Sequence, residues 1–120
     1  GMPMLNKIIF RGRIVKDCDL RIMPKGTPVA KFSVACERDY KNSDGERETD
    51  FFNCVWYGKV AEKLAQYLTK GRMIIVEGRL QIRKYQDKYY TEINVSSVDF
   101  CDGGEKKTNK QVTDTDCPWS

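Results

Sequence analysis

Residues 50–71, DFFNCVWYGKVAEKLAQYLTKG, hold a strand pattern and a helix pattern joined by one glycine. Over Asp50–Tyr57 the side chains alternate. Phe51, Asn53, Val55 and Tyr57 take one face, and Phe52, Cys54 and Trp56 take the other. Both faces carry aromatics, so neither fits the simple rule of apolar inside and polar outside. After Gly58 the period changes: Val60, Ala61, Leu64, Tyr67 and Leu68 fall at helical spacing, and Gly71 is a natural stop for a helix over Lys59–Thr69.

Outward from this stretch the chain reads as strand throughout. Lys7–Val15 is rich in β-branched residues, with Gly12 placed where a bulge or sharp bend would fit. Asp17–Asp19 reads as a turn, Arg21–Met23 as a short strand before the turn at Pro24-Lys25-Gly26, and Ala30–Arg38 as a strand alternating Ala30, Phe32, Val34 and Cys36 against Lys31, Ser33, Ala35 and Glu37. Tyr40–Thr49 is polar and turn-rich and reads as a long loop. Beyond the helix, Met73–Leu80, Ile82–Tyr85 and Tyr89–Val95 are strand-like around a turn at Gln86-Asp87-Lys88, and Val98–Phe100 ends the apolar sequence. This order suits an all-β, five-stranded Greek-key barrel with one helix between strands 3 and 4. Residues 1–101 form the expected domain; 102–120 are polar, lack periodicity and read as a disordered tail.

Charge and chemistry narrow the function classes. The 21 Lys and Arg against 17 Asp and Glu give only +4, but residues 1–101 carry 18 basic against 13 acidic groups while the last 19 carry 3 against 4. The basic part is the part expected to fold. There is no histidine, and the five cysteines (18, 36, 54, 101 and 117) form no Cys-x-x-Cys pair, so the usual zinc patterns are missing and neither a metal nor a cofactor is expected. Cys36 and Cys54 lie in apolar runs and read as small core hydrophobes. An odd cysteine count, no secretory signal and no membrane-length apolar run fit the cytoplasm.

The distinctive feature is aromatics at positions the core does not demand, interleaved with cations. Phe51 and Tyr57 oppose Phe52 and Trp56; Tyr40 sits among polar residues; Tyr85, Tyr89 and Tyr90 flank a hairpin tip. Lys7, Arg11, Arg13, Arg38, Lys59, Arg79, Arg83, Lys84 and Lys88 are spread among them. Flat π-faces alternating with cations suit an unpaired nucleic acid, whose bases stack at about 1–3 kcal/mol each and whose phosphates recruit the charges. For each cation taken singly a solvated charge is the simpler reading; for Phe51 and Tyr57 the alternative is burial at a subunit contact, and base stacking is favoured over it because stacking platforms suit exposed aromatics.

Four ordered blocks, LNKIIFRGRIVKD, MPKGTPVAKFSVA, DFFNCVWYGKVAEKLAQYLTKG and VEGRLQIRKY, resemble the corresponding stretches of bacterial-type single-stranded-DNA-binding proteins over residues 4–100. The resemblance implies an OB-fold, a homotetramer, and little sequence preference, in service of replication, recombination and repair near the nucleoid. It also implies four base-stacking positions, which fall on Tyr40, Phe51, Tyr57 and Tyr85. Relatives often stack on tryptophan; here Trp56 is expected on the inner face and Trp119 in the tail, so only a modest tryptophan quench on DNA binding is expected. The family ends in an acidic, proline-aromatic tip that docks replication and repair proteins. Asp114, Asp116, Pro118 and Trp119 resemble that tip, but Ser120 follows the aromatic, and an unrelated tail is an equal reading. Two rival functions stay open. A small-barrel nuclease is disfavoured by the missing histidine, metal pattern and carboxylate cluster. A primosome-type or other protein-interaction OB-fold would be favoured by a lack of salt-sensitive oligo-dT binding.

Overall fold

The computed structural model describes residues 2–101; Asp114, Asp116, Pro118, Trp119 and the whole expected tail lie outside the described residues. Six strands, β1 (Ile8–Ile14), β2 (Asp19–Ile22), β3 (Pro28–Lys41), β4 (Arg47–Tyr57), β5 (Met73–Tyr85) and β6 (Lys88–Phe100), surround α1 (Lys59–Leu64), which runs on into a single 3-10 turn, Ala65–Tyr67. Five of them close into a ring, β1-β5-β6-β4-β3, with β1 returning to β3 through Arg13↔Ala35 and Ile14↔Val34. All ladders are antiparallel except β4–β6, which runs parallel through Cys54↔Ile93 and Val55↔Asn94. The sixth strand, β2, extends the edge of β3 beside β1, from Asp19↔Lys31 to Ile22↔Pro28. The helix lies between the third and fourth barrel strands, as the sequence predicts.

The core follows from the alternation. Ala30, Phe32 and Val34 of β3, Cys54 and Trp56 of β4, Ile74 and Val76 of β5, and Ile93, Val95 and Val98 of β6 point inward with Ile14, and Ala61 and Leu68 pack into the same cluster. Trp56, at 4% exposed, is on the inner face as its parity requires. Burial pushes the Cys54 thiol up to about 12, which keeps it protonated and inert. Gly12 serves a purpose other than the expected bulge. The β1–β5 register is continuous through it, and a Cβ there would overlap the Ala35 carbonyl oxygen and Val34, so Gly12 is what lets β1 cross β3 and close the ring. The bulge lies instead at Glu77/Gly78, where β6 has one extra residue, Ser96, whose hydroxyl donates to the Glu77 carbonyl at 2.9 Å.

Several boundaries move. Asp19, expected in a turn, opens β2. The α-helix ends at Leu64, and the 3-10 turn after it sets Leu68 into the core at 0% exposed while the Tyr67 ring meets Phe100 edge-on at 6.4 Å. The main correction concerns Tyr40–Thr49. Tyr40 and Lys41 belong to β3 and Arg47–Thr49 to β4; only the residues between them turn, with Asn42 Oδ1 accepting the Asp44 and Glu46 amides at 2.9 and 3.0 Å. At the other hairpin, Lys88 pairs with Tyr85 and the turn is Gln86-Asp87 alone, both at positive φ (49° and 65°). The segments expected as separate strands at 73–85 and 89–100 are each one long strand, because β5 and β6 continue their ladder beyond the core.

Candidate nucleic-acid interface

Strand parity turns Phe51, Asn53 and Tyr57 outward from the barrel wall, with Phe51 64% and Tyr57 43% exposed. Val55 shares their parity but is 5% exposed. Phe51 and Tyr57 are six residue steps apart along the strand, about 20 Å. Across the wall Phe51 stands opposite Ala35, and Ala35 opposite Arg13 on β1. An outward cation, a small residue and an exposed aromatic thus lie side by side over three strands. Arg13 also donates to the Gly71 carbonyl at 3.0 Å, which fixes its direction.

The other two aromatics are on the hairpins. Tyr40 lies on β3 beyond the last buried residue of that strand, 60% exposed, and Tyr85 is the last residue of β5, 58% exposed. The four aromatics therefore do not line one pocket: two stand on the wall and one on each projecting hairpin. Between the wall and the root of the β5–β6 arm runs a groove of about 390 Å³, lined by Lys31, Ser33, Asn53 and Val55 on one side and Arg83, Tyr90 and Glu92 on the other. Arg83 faces Tyr90 in register and donates to Glu92 at 2.8 Å. Lys84 lies on the opposite face of the arm, its ammonium 5.8 Å from the Tyr89 ring centroid.

The remaining cations are dispersed. Lys7 pairs with Glu77 at 2.9 Å, Arg11 is half-buried on the outward parity of β1, and Arg79 stands opposite Asn94. Lys59 opens the helix and Lys88 opens β6, both exposed. Arg38 differs from all of these. It forks onto Asp50 through Nε at 3.0 Å and Nη2 at 2.9 Å, and its Nη1 donates to Glu48 at 3.0 Å. The fork raises the Arg38 pKa and holds the Asp50 carboxyl below the usual range.

Three positions outside the sequence-derived site line the groove, together with Asp17 and Asp19. Lys16 and Lys31 reach the groove from outside the aromatic clusters, and Tyr90 lines it opposite Arg83. The signal for Tyr90 was available in its parity with Glu92 and Asn94; the signal for the two lysines was not, because only closure of the ring brings them to the arm. Among the described residues no cluster of three or more His, Cys, Asp or Glu side chains could hold a metal ion, and no helix is long and apolar enough to cross a membrane.

Residues 5–101 match the model of the single-strand binding protein family. The chain belongs to that family. Single-stranded DNA-binding proteins of Bacillus cereus (45% identical, over 87% of this chain and 66% of theirs) and Bacillus anthracis (45%, over 86% and 65%) are similar to it, as is single-stranded DNA-binding protein 2 of Listeria monocytogenes (45%, over 81% and 64%). The chain thus spans slightly under two thirds of the length of these curated relatives. Among solved structures, a Plasmodium falciparum SSB complex with ssDNA superposes with a TM-score of 0.77 at 33% identity, covering 85% of this chain and 99% of that one. The closed five-stranded barrel is accordingly the family's OB-fold.

Proposed function

We propose that this chain binds single-stranded DNA with little sequence preference and does no chemistry on it. The observation that carries this reading is the outward face of β4, where Phe51 and Tyr57 stay exposed on the strand whose other face, Cys54 and Trp56, is core. An exposed aromatic pair on a rigid wall is a stacking platform, and the relatives named above support that use. Tyr40, Phe51, Tyr57 and Tyr85 stack successive bases, while Lys7, Arg11, Arg13, Lys59, Arg79, Arg83, Lys84 and Lys88 take phosphates and release counterions. Duplex is rejected because its bases are already paired and stacked.

Around this core reading stand the features that belong to the whole protein. It works in replication, recombination and repair, in the cytoplasm with the nucleoid. Ile9, Leu80 and Ile82, exposed by 59, 42 and 65%, supply apolar surface that assembly into a homotetramer would cover. The tip at Asp114, Asp116, Pro118 and Trp119 docks partner proteins. One titration tests the central claim. Oligo-dT binds tightly and loses affinity steeply with salt, and duplex of the same length binds far more weakly. Equal affinity for duplex, or no salt-sensitive binding to oligo-dT, overturns it and favours a protein-interaction barrel.

A further inference from the structure

The β3–β4 hairpin is a poor path for phosphates. Residues 37–50 hold six acidic side chains (Glu37, Asp39, Asp44, Glu46, Glu48, Asp50) against Arg38, Lys41 and Arg47, a net of −3. Residues 79–92 of the other hairpin hold four basic side chains against two acidic, a net of +2. The backbone beneath Arg38 is also irregular. Glu37 faces Thr49 and Lys41 faces Arg47, so four steps of β3 oppose two of β4. Bulges of this kind re-aim side chains, and the residues in this one are Arg38, Asp39 and Tyr40. Each irregularity is tied down. The guanidinium of Arg38 reaches across to Asp50 and Glu48, Arg47 Nη1 donates to the Arg38 carbonyl at 3.1 Å, and Arg38 Nη1 lies 3.5 Å from the Tyr40 hydroxyl.

From this we infer that Arg38 is a positioning residue: with Asp50 and Glu48 it clamps the β3 bulge so that Tyr40 is held as a stacking face, and it does not contact phosphate. A forked guanidinium holding two carboxylates is geometrically specific in a way an ammonium is not. Its Nε, Nη1 and Nη2 are all engaged before DNA arrives.

The inference rests on the single-stranded-DNA reading, and one set of oligo-dT titrations over a range of salt separates the two. If Arg38 clamps, Arg38→Lys and Asp50→Asn each weaken binding about fivefold or more, the low end of losing one stacked base. Arg38→Gln then leaves the slope of log K against log salt unchanged. In a Tyr40→Ala background, Asp50→Asn costs nothing further, because the clamp acts through that ring. A phosphate contact predicts the reverse. Arg38→Lys holds wild-type affinity, Asp50→Asn tightens binding by removing a repelling carboxylate, and Arg38→Gln flattens the slope by about 0.7. Any of those three results overturns the clamp. An undiminished cost of Asp50→Asn in the Tyr40→Ala background overturns it too, and melting curves of each variant confirm that the barrel is intact. Failure of the unmutated protein to bind oligo-dT overturns the binding reading itself.

Discussion

The β3–β4 hairpin leaves the barrel cross-tied by Arg38 to Asp50 and Glu48, acidic overall, with one exposed tyrosine on a bulge. The β5–β6 arm leaves the same barrel basic overall, its ladder unbroken from Gly78 to the tip, with Tyr85, Tyr89 and Tyr90 exposed around a two-residue turn. Neither has a buried residue beyond its root. With no core to hold them, each is organised by what its surface offers. The first spends its charges on itself and keeps one ring in place. The second leaves most of its charges for a ligand, with Arg83–Glu92 as an internal pair. On the proposed reading, this charge difference favours phosphates along the arm over the hairpin, with rings on both open to bases.

The hardest test of that contrast goes to the shared root. Ile93, 1% exposed, pairs with Leu80 of the arm and Cys54 of β4. Ile93→Ala is expected to destabilise the protein by about 2–5 kcal/mol in urea unfolding. Amide exchange should then show both hairpins loosening together; loss of protection in the arm alone would mean that they do not share a root. Next come the rings: Phe51→Ala and Tyr85→Ala each should weaken oligo-dT binding by about 1–3 kcal/mol. Phe51, on the rigid wall, should show the larger loss; a larger loss at Tyr85 would reverse the ranking of wall over arm. A smaller effect is expected from Arg83→Gln, which should flatten the salt slope by about 0.7 for one lost single-strand phosphate contact, while the same exchange at Arg38 leaves it unchanged.

Acidity separates the hairpins further. The Asp50 carboxyl titrates below its unfolded value of 3.8, so its contribution is complete above that value and is lost as pH falls through the lower folded one. Amides of the β3 bulge are therefore expected to lose protection below about pH 4 before the barrel unfolds; protection unchanged down to global unfolding would mean the clamp does not hold the bulge. The smallest effect belongs to the arm tip, where Asp87 sits at φ 65°. Asp87→Gly relieves a left-handed non-glycine residue and should stabilise the protein by about 0.5–1 kcal/mol in thermal melts.

Local sequence determined a good deal of this. Period-2 alternation assigned Phe52, Cys54 and Trp56 to the core and Phe51 and Tyr57 to the outside, because successive side chains on a strand must point opposite ways. The change to helical spacing after Gly58 placed the helix, although the 3-10 turn that seats Leu68 was not visible in it. Where the chain buries nothing, the alternation carries no apolar signal. That is why Tyr40–Thr49 reads as a loop and folds as a hairpin: its ladder is held by backbone hydrogen bonds and charged side chains, which look like solvated loop residues in one dimension. The parallel closure of β4 on β6, the role of Gly12 in letting β1 cross β3, the gathering of Lys16, Lys31 and Tyr90 at one groove, and the commitment of Arg38 to Asp50 all join residues far apart in the chain or on separate strands. Such pairings depend on which strands become neighbours when the ring closes, and only the tertiary structure decides that.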